Sequence, residues 1–187
     1  MNIVNVGYAS TNYYAVDIKT GKLLVDCGWP GTLLQFTKVL QRKGIALNEF
    51  KYLLVTHFHP DHAGLVQELK NQGAKLILPE CQVDFVGPFA EYFKGKSLPY
   101  VEIQRNDNLI LKLEDSRKFL ASIGLSGEMI HTPGHSDDSV TLILDEGFAF
   151  TGDLHPSFMN TEDVTTRESW DKIYQHKITK IFPGHGG

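Results

Sequence analysis

Six consecutive residues, His57-Phe58-His59-Pro60-Asp61-His62, restrict this chain more than any other feature. They follow the apolar stretch Lys51–Val55, which reads as a strand running into a polar loop. A packed core would not place four such polar side chains there. With 8 histidines in 187 residues, an H-x-H-x-D-H arrangement arises by chance in about one chain in a thousand. In an extended stretch residues i and i+2 point the same way, so His57 and His59 converge on one ion. Asp61 and His62 lie at the turn into the next helix and face a neighbouring position. Imidazole and carboxylate donors without thiolate suit zinc, and also iron or manganese.

Around this loop, strands and helices alternate through the first half of the chain, a pattern that predicts α/β layers. Strands are expected at Tyr13–Asp17 and Lys22–Asp26, on either side of the turn Lys19-Thr20-Gly21. Thr32-Leu33-Leu34-Gln35 matches a capping box, opening a helix that carries Leu33, Phe36 and Leu40 on one face and stops at Gly44. A second helix is predicted over His62–Gln72, closed by Gly73, and then a strand over Lys75–Leu78. The aromatic stretch Asp84–Lys94, interrupted by Pro88, reads as a broken helix or a flap. Tyr100–Ile103 and Leu109–Leu113 look extended, and Ser116–Ile123 reads as a helix ended by Gly124. Strands follow at Glu128–His131, Val140–Leu144 and Phe148–Thr151. Thr165-Thr166-Arg167-Glu168 is expected to cap a helix reaching Lys177, before a last strand at Lys180–Phe182.

The length corresponds to one domain, residues 1–187. A chain of this size buries roughly 70 % of its unfolded surface, so any metal is expected to be functional rather than structural. The net charge is −4 and the basic residues are scattered, which argues against a nucleic-acid partner. Cys27 and Cys81 belong to no C-x-x-C pair and read as two reduced, mostly buried thiols. The first residues carry no signal-peptide pattern, and no segment approaches the ~18 apolar residues of a membrane span. A cytoplasmic protein without membrane association is expected.

Three more positions complete a pattern: His135 in Pro133-Gly134-His135, Asp153 in Gly152-Asp153, and His185 in Pro183-Gly184-His185. Each follows an expected strand and sits beside a glycine. Alone, each is an ordinary turn. Taken in order with H-x-H-x-D-H, they make the chain resemble the metallo-β-lactamase superfamily over nearly its whole length. The resemblance implies an αββα sandwich, two mixed β-sheets packed face to face with helices outside, and a site along one edge. It implies a first metal on His57, His59 and His135, a second on Asp61, His62 and His185, and Asp153 bridging both. Asp26, in Val25-Asp26-Cys27-Gly28, would support the ligands from behind without binding metal itself. Two divalent ions, zinc foremost and iron or manganese otherwise, would leave one net positive charge after the two carboxylates and a bridging hydroxide are counted. Such a site favours a carbonyl or anionic oxygen as the group bound, with the hydroxide attacking the carbonyl carbon. Asp61 is the expected proton shuttle.

Asp153 argues against a true β-lactamase, which resemblance associates with Cys or Ser near that position. Acidic balance disfavours the RNase Z-like phosphodiesterases. Glyoxalase II usually carries a further C-terminal helical domain, whereas this chain stops two residues after His185. The reading is therefore a binuclear hydrolase of a small-molecule ester, thioester or lactone, with the scissile bond, native metal and oligomeric state open. The alternatives are a mononuclear-iron, persulfide dioxygenase-like oxidoreductase, an RNase Z-like phosphodiesterase, and a catalytically silent metal-binding module, which seven filled ligand positions disfavour. The closeness of His185 to the chain end makes it the ligand expected to be least rigid. His155 reads as a pocket-lining donor or a solvated loop histidine, and Asp137-Asp138 as a histidine-orienting pair or a turn. Phe85, Phe89, Tyr92 and Phe93 read as an apolar substrate wall or as core. Arg117 reads as a carboxylate binder or a solvated helix residue, and His131 and His176 as structural or exposed.

Overall fold

The structure, a computed structural model, describes residues 1–156 and 163–186. It opens with strands β1 (Ile3–Asn5), β2 (Tyr14–Ile18) and β3 (Gly21–Val25), then helix α1 (Leu33–Arg42) and strand β4 (Phe50–Leu54). Two short helices, α2 (Pro60–Ala63) and α3 (Val66–Lys70), precede β5 (Lys75–Pro79), a 3-10 segment Glu80–Phe85, α4 (Val86–Phe93) and β6 (Leu109–Leu111). The second half runs α5 (Ser116–Ile123), β7 (Gly127–His131), β8 (Val140–Leu144), β9 (Phe148–Gly152), α6 (Val164–Tyr174) and β10 (Lys180–Pro183).

The strands form a six-stranded sheet, β1-β2-β3-β4-β5-β6, and a four-stranded sheet, β10-β9-β8-β7. Both are mixed: β1 to β3 pair antiparallel and β3 to β6 parallel, while β7, β8 and β9 pair antiparallel and β10 joins β9 in parallel. The sheets face each other across a core that includes Val16, Leu23, Leu54, Ile77, Leu142 and Phe150. Their opposite faces are covered by helices. Phe36 and Leu40 of α1 and Phe89 of α4 pack with Leu24, Leu53 and Leu76 on one side, and Trp170 and Ile173 of α6 pack with Ala149 on the other. Central strands such as β8 are buried at every residue, which explains their unbroken apolar runs. The architecture is the expected αββα sandwich.

Local differences from the sequence reading have physical causes. The single helix predicted over 62–72 is two short ones. The break falls at Leu65, whose φ of −95° and ψ of 4° leave the helical region, just after Gly64, where a Cβ would stand 2.4 Å from the Gly28 carbonyl oxygen. Thr32 does precede α1, but its hydroxyl makes no capping bond; it donates to Trp29 O at 2.5 Å and pairs with the Tyr8 hydroxyl. The cap of α6 is Asp163, which accepts from Thr165 N at 3.0 Å, rather than Thr165 itself. Residues 100–103 join no strand; Tyr100 stacks on Phe93 and Ile103 fills the outer core. Cys27 is buried and Cys81 partly so, and both thiols are free. No helix among the described residues is long and apolar enough to cross a membrane.

Strands β3, β4, β7, β9 and β10 bring their C-terminal ends to one edge. One contact there joins the two sheets directly, Val140 N donating to Thr56 O at 2.8 Å, and within the second sheet Gly184 N donates to Gly152 O at 2.7 Å. The residues that follow these strands converge on that edge.

Candidate metal centre

The loop after β4 is fixed before its histidines point anywhere. Asp26, just past β3, adopts a left-handed backbone with φ 61° and is buried. Its carboxylate accepts from Thr56 N at 2.7 Å and Thr56 Oγ1 at 2.9 Å, and meets His62 Nδ1 at 2.9 Å. That last contact turns His62 Nε2 toward the sheet edge. Asp138 accepts from Phe58 N at 2.7 Å, tying the His57–His62 loop to the loop that carries His135. Gln82, fully buried, donates from Nε2 to Val55 O and to Asp138 O, both at 3.0 Å.

Three sets of ligand atoms lie within 4.8 Å of one another: His57, His59 and His135; Asp61, His62 and His185; and His57, His62 and Asp153. Asp153 stands between the first two sets. Its Oδ2 is 3.2 Å from His185 Nε2, 3.7 Å from His135 Nε2 and 4.0 Å from His57 Nε2, and its Oδ1 is 3.3 Å from His62 Nε2. Asp61 Oδ2 is 3.2 Å from His185 Nε2 and 3.5 Å from His62 Nε2. The buried atoms His57 Nε2, His62 Nε2 and Asp153 Oδ1 have no hydrogen-bond partner. Buried polar atoms are rarely left so, and these three aim at the same space. The donor set is nitrogen and oxygen only, which fits two divalent ions of the zinc, iron or manganese kind.

The charges follow from the packing. Burial, reinforced by the neighbouring imidazoles, holds the His57 pKa well below that of a free histidine. Burial also works to lower His62, but the Asp26 and Asp153 carboxylates outweigh it and raise that imidazole to about 10. Burial works to raise Asp153, yet His62 and the surrounding histidines leave its carboxyl below the ordinary range. Burial depresses His135.

The segment around His185, the candidate ligand expected to be least rigid, is bonded to the loop between β1 and β2. His185 Nδ1 meets Ser10 O at 2.7 Å. Around it, Asn12 N donates to Gly184 O at 2.7 Å, Asn12 Nδ2 to Pro183 O at 3.0 Å and to Gly186 O at 2.7 Å, and Tyr14 Oη to Pro183 O at 2.8 Å. The loop between β1 and β2 thus clamps the segment after β10. The same loop supplies Thr11, buried, whose hydroxyl donates to Asp61 Oδ2 at 3.0 Å. Thr11→Val keeps the shape and deletes that donor. We expect zinc affinity of the Asp61–His62–His185 set to fall by about tenfold, the lower end of the range for ligand-supporting partners. A zinc titration of both proteins measures it, and unchanged affinity would mean that Thr11 does not orient Asp61.

The remaining sequence candidates divide. His155 lines a cavity of about 230 Å³ with His135, Asp153 and His185, its ring 5.8 Å from that of His135. Asp138 orients the loop backbone instead of a histidine ring, and Asp137 meets His131 Nε2 only through its carbonyl. Arg117 is engaged by Asp145 and Glu128, and His176 Nδ1 lies 4.0 Å from Glu128. Phe85, Phe89 and Tyr92 line a cleft beside His59, whereas Phe93 belongs to the outer core. Thr11, Asn12 and Gln82 were absent from the sequence reading, and no local pattern marks them.

A family model described as the metallo-beta-lactamase superfamily matches residues 6–185. The Beta-lactamase-like protein 2 homolog of Drosophila melanogaster is 30% identical over 182 residues, 94% of this chain and 58% of that protein. An atrochrysone carboxyl ACP thioesterase of Claviceps purpurea is 30% identical over 184 residues, 96% of this chain and 52% of that protein. The chain therefore spans between half and three-fifths of these two relatives. Among solved structures, the subclass B3 metallo-beta-lactamase BJP-1 of Bradyrhizobium japonicum superposes with a TM-score of 0.73 at 22% identity, over 98% of this chain and 75% of that one. The class B3 di-zinc metallo-beta-lactamase LRA-12 from an Alaskan soil metagenome gives 0.74 at 21% identity, over 98% and 75%.

Proposed function

The chain belongs to the metallo-beta-lactamase superfamily, and on that premise we propose that it is a two-metal hydrolase of a small-molecule ester, thioester or lactone. The observation that carries this is the pair of ligand sets, His57–His59–His135 and Asp61–His62–His185, meeting at Asp153 with three buried ligand atoms lacking any other partner. The second set favours two ions over the one-iron dioxygenase reading, which needs only one. When bound, two divalent ions would supply Lewis acidity toward a carbonyl oxygen and an acidified water as nucleophile.

The protein's own residues do the rest. Asp26 fixes His62 through Nδ1, and Thr11 fixes Asp61 through Oδ2. Asp61, partly exposed at the mouth, is placed to take the proton that the attacking water gives up and to pass it to the departing oxygen or sulfur. The acyl–oxygen or acyl–sulfur bond breaks as the new carbon–oxygen bond forms. Thioester cleavage is the activity in the name of the Claviceps purpurea relative, which supports testing that bond first among the three. A net charge of −4 suits a small-molecule partner better than a nucleic acid.

Elemental analysis after saturation with zinc is expected to give about two ions per chain, with turnover on at least one member of an ester, thioester and lactone panel. Asp61→Asn is expected to lower kcat about a hundredfold and to change KM little, because it removes a proton acceptor needed chiefly in the transition state. One ion at saturation in a folded sample would overturn the two-metal reading. Turnover within about threefold with both ions retained would remove Asp61 from its role.

A further inference from the structure

The cleft beside His59 is built differently from the cavity against Asp153. Phe58, Pro60, Phe85, Pro88, Phe89 and Tyr92 line it, with His59 at its inner end and no Lys, Arg, Asp or Glu among its described lining residues. Its volume is about 400 Å³, within the ~300–1,000 Å³ typical of small-molecule pockets. Phe85, at the end of the 3-10 segment, and Phe89 and Tyr92 of α4 recur at helical spacing, so this stretch presents one aromatic face to it. The Phe58 and Phe89 rings meet edge to face at 5.6 Å, forming a firm floor. Tyr92, 48% exposed, stands at the outer end. Phe85 is half-buried beside it while Phe58 and Phe89 are buried behind, and the cleft adjoins His59 of the metal set.

The cavity against Asp153, by contrast, carries His135, Asp153, His155 and His185. The two spaces therefore sort a substrate by polarity about the reacting carbonyl. A departing oxygen or sulfur needs a proton as it leaves and belongs on the polar side, toward His185, whose Nε2 is 3.2 Å from Asp61 Oδ2. An apolar substituent belongs on the aromatic side, where it gains from leaving water and meets no charge.

We propose that the Phe58–Phe85–Phe89–Tyr92 cleft is the subsite for an apolar acyl group, so that the substrate is an ester or thioester of a medium-length alkyl or aryl carboxylic acid. This rests on the hydrolase reading for its chemistry, and the test separates the two. On zinc-loaded protein, kcat/KM is measured for the acetyl and octanoyl thioesters of N-acetylcysteamine and for the matching 4-nitrophenyl esters. Calorimetry compares the binding of acetohydroxamate and octanohydroxamate, which share a metal-seeking head and differ only in chain. Partial burial of six added methylenes predicts a preference for octanoyl of at least about tenfold in both measurements. Tyr92→Glu and Phe85→Glu, each checked for fold by circular dichroism, are expected to reduce both preferences to about threefold or less. Tyr92 is half exposed, so that variant tests the cleft even if Phe85→Glu does not fold. If octanohydroxamate keeps its advantage but no ester or thioester is turned over, the hydrolase reading falls and the subsite stands. Absence of a chain-length preference in the parent protein, or its persistence in the Tyr92 variant, overturns the subsite.

Discussion

Asp153→Asn is expected to reduce bound zinc from about two ions to one or fewer and to lower kcat/KM on the best substrate by on the order of a thousandfold. The side chain keeps its shape, so the effect isolates charge. In the native protein one carboxylate faces four imidazoles, with Oδ1 3.3 Å from His62 Nε2 and Oδ2 3.2 Å from His185 Nε2, 3.7 Å from His135 Nε2 and 4.0 Å from His57 Nε2. Only a ligand between the two sets can serve both ions. An amide offers one neutral oxygen there and turns an NH₂ group toward the other position, where it repels a cation. Single-ligand losses such as His185 should weaken one ion, whereas this substitution weakens both. Elemental analysis, a zinc titration and steady-state kinetics on the same sample measure it. Two ions retained with kcat/KM within threefold would show that Asp153 is not shared.

The parts of the fold legible in the sequence are those fixed by neighbouring residues. The helix at Ser116–Ile123 and the strand at Val140–Leu144 match the structure end to end; Gly124 closes the helix in a left-handed conformation that sequence can anticipate. H-x-H-x-D-H is legible for the same reason, because four of its side chains lie within six residues. His135, Asp153 and His185 stood out only in combination, through family resemblance, since each alone is a turn. What stayed hidden is what acts across the chain. Thr11 reaches Asp61 over 50 positions, and Asn12 reaches Pro183 over 171. No spacing rule connects such pairs; the sandwich does, by closing the β1–β2 loop over the end of β10. The cap of α6 was misplaced for a smaller reason of the same kind: Asp163 and Thr165 are both good caps, and the backbone entering the helix selects Asp163.

Asp26 offers the sharpest separation of folding from metal binding. Asp26→Ala is expected to destabilise the metal-free protein by at least about 3 kcal/mol. The buried Thr56 N–H and His62 Nδ1 lose their partner, at about 1–3 kcal/mol per unsatisfied group. Alanine also costs about 1–2 kcal/mol in the left-handed region, where Asp26 sits at φ 61°. For a chain of this size that corresponds to a melting temperature lower by roughly 10 °C. Asp26→Asn behaves differently. Asparagine tolerates the left-handed backbone and its oxygen still accepts from Thr56 N, so most stability returns. Its NH₂, however, now faces His62 Nδ1. The bond with His62 then requires Nδ1 as acceptor and places the ring proton on Nε2, the atom that the Asp61–His62–His185 set presents to the ion. We therefore expect Asp26→Asn to fold well yet bind its second zinc about 10- to 100-fold more weakly, with the first little changed. Thermal unfolding with chelator, followed by a zinc titration of each variant, reads the two effects independently. An alanine variant melting within about 2 °C of the parent would show that the Thr56 bonds carry little of the fold. An asparagine variant binding both ions at parental affinity would show that Asp26 does not set the His62 tautomer.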